Sequence, residues 1–180
     1  MIWEIDSTHS QVSFSIRVLS VSTTKGHFNA FRGHLHLDEQ HLANSWVNAE
    51  VDAASIDTRN KLRDAHLRSA KFFAVKQYPT ITFQSTNVEH VGGQHYKVTG
   101  NLTMHGVTKL ITFDVEYRGQ SRMMGVRTAL TAKATINRND FGLGHGAGVQ
   151  FAASPMVTIE IDLEAVQQSM EVQEAMVIAR

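Results

Sequence analysis

Gln11-Val12-Ser13-Phe14-Ser15-Ile16-Arg17-Val18 makes every second residue apolar and every intervening one polar. Successive side chains of an extended chain point to opposite faces, so this octet reads as a strand with one apolar and one solvated face. The same period of two returns downstream. Leu35 and Leu37 alternate with His34 and His36; Val47, Ala49 and Val51 with Asn48 and Glu50; Ile81 and Phe83 with Thr80, Thr82 and Gln84. It continues through Val98, Gly100 and Leu102; Ile111, Phe113, Val115 and Tyr117; Leu130, Ala132, Ala134 and Ile136; and Val157, Ile159, Ile161 and Leu163. Gly92-Gly93, His105-Gly106, Arg118-Gly119 and Asn137 to Asp140 stand between the runs as turn formers. Short connections make neighbouring strands antiparallel, and about eight strands with one apolar face predict an all-β barrel or sandwich.

Two stretches depart from the alternation. Between Arg59 and Phe73 the apolar residues Leu62, Ala65, Leu67, Ala70 and Phe73 lose the period of two, β-branched residues are missing, and Asp57-Thr58 stands where an N-cap belongs. One inserted helical segment, or two short ones, is expected there. From Glu164 to Arg180, Val166, Met170, Met176 and Val177 fall near helical spacing, which predicts a C-terminal helix or tail. The expected division is a barrel domain over 1–165 and a helical extension over 166–180.

The chain has 180 residues, enough for one ordinary domain with a core of its own. Lys plus Arg and Asp plus Glu number 17 each, so the cationic excess of a nucleic-acid binder is absent and no such partner is expected. With no cysteine, disulfide scaffolds, thiol catalysis and thiolate metal sites are excluded. The start Met1-Ile2-Trp3-Glu4-Ile5-Asp6 does not read as a signal peptide. The expectation is a cytoplasmic protein as written, periplasmic if a leader has been removed. No window reaches the roughly 18 consecutive apolar residues that span a bilayer, so any membrane contact is expected to be peripheral.

Few constellations carry chemistry. Phe141-Gly142-Leu143-Gly144-His145-Gly146-Ala147-Gly148 is glycine-rich, but Val149-Gln150-Phe151, Pro155 and another strand follow, not the helix a phosphate loop requires; it reads as a rim connection able to act as a lid. His34-x-His36 places two imidazoles on one strand face, which reads as a solvated face, since a metal needs three or four ligands; no metal site is expected. In Arg63-Asp64-x-His66-x-Arg68 the favoured reading is an exposed helix face with an Asp64–Arg68 pair; Asp64 and His66 as acid and base of an enzyme on a lipophilic substrate are the alternative. The phenylalanines fall mainly on apolar faces, and small residues such as Ala49, Gly100, Ala132 and Ala134 would leave room beside them. An eight-stranded barrel is just wide enough to be filled by side chains or to hold one slender ligand.

The ordered short motifs resemble the YceI-like, polyisoprenoid-binding family. Trp3-x-Ile5-Asp6-x-x-His9-Ser10-x-Val12-x-Phe14-x-Ile16-Arg17 looks like its start, followed in register by Gly26-His27-Phe28-x-x-Phe31-x-Gly33 and Ala54-Ser55-Ile56-Asp57-Thr58. Then come Arg63-Asp64-x-His66-Leu67-Arg68-Ser69-x-x-Phe72-Phe73, Tyr78-Pro79-x-Ile81-x-Phe83-x-Ser85, Gly100-x-Leu102-Thr103-x-x-Gly106-Val107-Thr108, and Arg138-x-Asp140-Phe141-Gly142. The resemblance implies a closed, eight-stranded lipocalin-like barrel, often a homodimer, whose interior binds an isoprenoid lipid such as a polyprenyl phosphate or a quinone. It implies no established catalysis and no cofactor, and some members respond to stress. Val18 stands where the family often has His, and the extension past Ala165 is unusual.

On this reading the apolar lining comprises Val12, Phe14, Ile16, Phe28, Phe31, Phe72, Phe73, Ile81, Phe83, Leu102, Ile111, Phe113 and Phe141. Arg17, Arg63 and Arg68 are candidates for a phosphate head, and His9 and Ser10 for a quinone head. The remaining rival is a stress-related interaction module with a filled barrel.

Overall fold

In the computed structural model, which describes residues 1–144 and 153–179, the octet at residues 11–18 is a strand, β2 (Gln11–Val18). It follows β1 (Ile2–Ile5) and precedes β3 (Ser22–Phe28), β4 (Phe31–His36), β5 (Trp46–Asp52) and β6 (Ile56–Asp57). Helix α1 (Lys61–Arg68) then leads into β7 (Thr80–Gly92), β8 (His95–Met104), β9 (Val107–Ser121), β10 (Arg127–Asn137) and β11 (Ala153–Gln167), and α2 (Met170–Ile178) ends the described chain.

These segments make a closed barrel of eight strands, because three of the eight are broken. β11 pairs with both β1 (Ile5 opposite Ala165) and β2 (Gln11 opposite Asp162), so residues 2–18 act as one interrupted strand. β3 pairs with β2 and β4 with β1, which makes residues 22–36 the second strand; β5 on β4 and β6 on β3 make residues 46–57 the third. β5 then pairs with β7, β7 through β11 pair in chain order, every pairing antiparallel, and β11 closes on β1 and β2.

The first break has a legible cause. Ser10 Oγ donates to the carbonyl of Glu164 (3.1 Å) and accepts from its N–H (2.9 Å), doing with a side chain what a ladder residue does with its backbone. The Asp6 carboxylate gathers the Thr8 hydroxyl (2.6 Å), Arg127 Nη1 (2.8 Å) and His9 Nδ1 (2.8 Å). Those bonds hold its carboxyl well below the ordinary range, the Thr8 hydroxyl foremost, then Arg127 and His9. The Trp3-to-Ser10 motif is thus a device for bending a strand.

Two expected turns come out differently. His105-Gly106 is a tight hairpin, with φ of 54° and 71° as a primed turn demands. Arg118-Gly119 lies inside β9, where the register opposite β10 slips between Thr128 and Leu130; it is a bulge, with Gly119 at φ 88° and its carbonyl taken by Thr128 Oγ1 at 2.9 Å. The inserted helix is capped by Asn60, whose side chain accepts from Arg63 N–H at 3.0 Å, not by Asp57-Thr58. Asp64 does not pair with Arg68. It is buried and accepts from Thr58 N–H (2.9 Å) and Thr58 Oγ1 (2.6 Å), while Arg68 donates to the carbonyls of Ala54 (2.7 Å) and Ile56 (2.8 Å).

One end of the barrel is shut. Trp3, 2% exposed, packs there with Ile5, Leu35, Leu163 and the fully buried Ala165. The first residues of the chain meet α2 at this end: Gln168 N–H donates to the Ile2 carbonyl at 3.0 Å, and its side chain donates to Glu4 at 2.6 Å. The other end carries α1, the β2–β3 and β8–β9 hairpins, and the turn Arg138–Phe141.

Candidate functional site

Strand alternation aims one face of all eight strands inward, and the barrel does not fill the space it encloses. A cavity of about 1130 Å³ runs from the mouth at α1 to a floor of Ile5, Leu35, Val47 and Leu163. That is just above the range of about 300–1000 Å³ usual for small-molecule sites.

Eleven of the thirteen residues expected to line it do so. Val12, Phe14 and Ile16 enter from β2, Phe28 from β3, Phe31 from β4, Ile81 and Phe83 from β7, Leu102 from β8 and Phe113 from β9. Phe72 and Phe73 come from the coil after α1. Ring contacts organise the wall: Phe14 with Phe28 (centroids 5.7 Å apart), Phe28 edge-on to Phe73 (6.1 Å) and Phe83 edge-on to Phe113 (5.2 Å). Ile111 and Phe141 do not line the cavity. Ile111 shares the inward face of β9 but packs against the core residues around Leu102 and Phe113, and Phe141 is wholly buried beneath the Arg138–Phe141 turn, because that turn folds its ring into the core.

Gly100 leaves room for a protein ring, not for a ligand. A Cβ at Gly100 would come within 2.6 Å of Phe83 Cζ, and one at Gly26 within 2.5 Å of Phe14 Cζ, so each glycine seats a phenylalanine on the neighbouring strand. Ala49 and Ala132 do face the cavity, whereas Ala134 is packed away.

The five candidate head-group residues separate. Arg17 lies exposed and His9, bound to Asp6, sits outside the cavity; Arg68 is turned to the Ala54 and Ile56 carbonyls. Ser10 belongs to the cavity wall, with its hydroxyl joined to the Glu164 backbone. Arg63 stands at the mouth, its Nε on Thr58 Oγ1 and an Nη on the Thr58 carbonyl, both at 2.8 Å.

Sequence reasoning missed the polar neighbours Thr58, Asn60 and Arg138, and it assigned His66 only a catalytic role; all four reach the cavity, and the His66 ring lies edge-on to Phe72 at 5.0 Å. Arg138 is partly buried, which pulls its guanidinium below the ordinary range, and it donates to the carbonyls of Leu143 (2.7 Å), Ser154 (3.0 Å) and Ala153 (3.2 Å). Its proximity to Asp140 and Phe141 in sequence was the only signal. Floor residues such as Leu35, Val47 and Leu163 stood on predicted apolar faces, but alternation cannot tell a ligand-facing position from a packed one.

His34 and His36 share the outer face of β4, and His36 Nδ1 contacts the Met1 carbonyl at 2.6 Å. Among the described residues, no three His, Asp or Glu side chains come together as a metal site. No helix is long and apolar enough to cross a membrane, among the described residues. Half of the expected rim connection over 141–148, residues 145–148, lies outside the described residues, as does Phe151.

A family model described as a YceI-like domain matches residues 3–165. The protein YceI of Salmonella newport is 37% identical over 165 residues, covering 91% of this chain and 84% of its own. The crystal structure of Burkholderia cenocepacia BcnA superposes with a TM-score of 0.83 at 26% identity, covering 90% of this chain and 99% of that one. A polyisoprenoid binding domain from Saccharophagus degradans, implicated in plant cell wall breakdown, shares the fold at 17% identity, with a TM-score of 0.72 and coverage of 92% and 98%.

Proposed function

The chain belongs to the YceI-like family, and from that premise we propose that it binds an isoprenoid lipid in the barrel cavity and carries or stores it without chemical change. One observation carries the reading: a cavity of about 1130 Å³ whose wall is phenylalanine, leucine, isoleucine and valine, shut at the Trp3 end and reached past α1. An isoprenoid chain presents only apolar surface, and its burial contributes roughly 25 cal/mol per Å² of area removed from water, so an apolar wall supplies the affinity without special chemistry. Thr58, Asn60, Arg63 and His66 line the cavity at the α1 end, where a phosphate or quinone head would stay hydrated. Arg63, Asn60 and His66 are the side chains we assign to that head, with Arg63 the choice for a phosphate.

The two rival readings lose support. An interaction module with a filled barrel needs the interior to be packed, and here it is hollow. An enzyme using Asp64 and His66 needs both at the substrate, but Asp64 holds the Thr58 N–H and hydroxyl outside the cavity. A homodimer remains part of the proposal, to be read from the mass in solution by light scattering.

The test is solvent extraction of the purified protein followed by mass spectrometry. An isoprenoid lipid is expected in the extract. An empty extract, together with no binding of added polyprenyl phosphates or quinones, would sink the proposal.

A further inference from the structure

Leu19 and Val21 are 70% and 90% exposed at the tip of the β2–β3 hairpin, and Leu62 on α1 is 84% exposed. They share the open end of the barrel: Val18 and Thr24, which flank the hairpin tip, line the cavity together with Leu62. The tip is a tight turn, closed by Val21 N–H on the Val18 carbonyl at 3.2 Å, with Leu19 and Ser20 at φ of 54° and 57°. Left-handed backbone favours Gly or Asn, so a leucine there is locally disfavoured and projects apolar surface into water with no packing in return.

Charge distinguishes this end from the rest of a neutral chain. Residues 17–28 and 57–77 hold eight of the 17 Lys and Arg but only two of the 17 Asp and Glu, so they carry +6 against −6 elsewhere. One of the two acids, Asp64, is buried on Thr58, and the other, Asp57, accepts from Arg59 N–H; the turn Arg138–Phe141 at the same end adds one cation, Arg138, and one exposed acid, Asp140, which leaves the balance unchanged. Arg17, Lys25, Arg59, Lys61, Arg63, Lys71 and Lys76 are all exposed. Among the described residues none of these cations lies in an ion pair. Apolar side chains are exposed at the shut end too, but Met123 and Met124 in the β9–β10 connection have the single cation Arg122 beside them, and those on α2 sit with Glu171 and Glu174 and no Lys or Arg of that helix.

We infer that the open end docks on the surface of an anionic lipid bilayer, with Leu19, Val21 and Leu62 entering the headgroup region and the surrounding Lys and Arg facing lipid phosphates. Exposed leucine and valine at the same end as several cations outside any ion pair have the chemistry an anionic membrane surface selects, each cation near such a surface being worth about 1 kcal/mol. The inference deepens the lipid-carrier reading, since it places the cavity mouth against the phase from which an isoprenoid chain would enter.

Cosedimentation of the purified chain with phosphatidylcholine vesicles, with and without phosphatidylglycerol, tests it. Binding is expected only with the anionic lipid and should fall at high salt. Lys61→Glu, Lys71→Glu and Lys76→Glu should each weaken it about fivefold or more, the equivalent of about 1 kcal/mol per cation. Leu62→Ser and Val21→Ser should weaken it at unchanged salt dependence, while Lys97→Glu on the exposed barrel wall should leave it intact. Equal binding to neutral vesicles, no binding at all, or equal loss with Lys97→Glu would overturn the inference. So would a fall in solution mass on Leu62→Ser, which would make this end a contact between copies. The vesicles hold no isoprenoid, so failure here leaves the extraction result standing, and an empty extract leaves the docking result standing.

Discussion

Asp6 illustrates how a single side chain is tied to distant parts of the sheet. It accepts from Thr8 and His9 within its own turn and from Arg127 on β10, and these bonds favour its charged form. Because its folded-state pKa is depressed, the carboxylate adds stability above its ordinary value, near pH 4, and that contribution fades as the pH falls below it. Asp6→Asn should therefore lower the urea midpoint at pH 7, with the gap to the unsubstituted chain closing as pH is taken down through about 4 to 2. A gap that stays constant over that range would refute the account. Read as sequence, His9 and Ser10 were candidate ligand contacts; the structure commits them to Asp6 and Glu164. The reason is that the strand break needs polar partners of its own, a carboxylate for His9 and a backbone pair for Ser10, and the break itself leaves no trace in the alternation.

At the scale of elements, the eight alternating runs fall on strands except for Leu37, just past the end of β4, and β1, β3 and β6 are strands that no alternating run announces. β3 reads Ser-Thr-Thr-Lys-Gly-His-Phe, and it is a strand because β2 and β6 supply partners on either side, not because of an apolar face of its own. The bulge at Gly119 is another place where local reading stops short. Arg-Gly looks the same whether the chain turns or bulges; only the register against β10 decides. Gly119→Ala should lower stability by roughly 1–2 kcal/mol, the penalty for an L side chain in left-handed backbone, measured by urea denaturation. No loss there would mean that the β9–β10 ladder relaxes around the bulge.

Among the described residues the molecule is a hollow barrel with unlike ends, one shut by Trp3 and edged by α2, the other open, basic and flanked by exposed leucine and valine. Filling the hollow tests its purpose. Ala132 faces the cavity from β10, so Ala132→Phe should reduce the lipid recovered by extraction severalfold, at a stability change of about 1–3 kcal/mol or less if the ring occupies empty space. Unchanged recovery would place the ligand elsewhere. What the residues determined unaided was the class of fold, eight inward apolar faces and a helical insertion, because the period of two and its loss are local properties of the chain. That the interior is empty, that Phe83 and Phe14 lie over Gly100 and Gly26, that Asp64 is structural, and that the cations of residues 17–28 and 57–77 share one end were decided only by the tertiary structure. Volume, register and charge separation depend on which strands become neighbours, and pairing among residues more than a hundred positions apart is not written in any one of them.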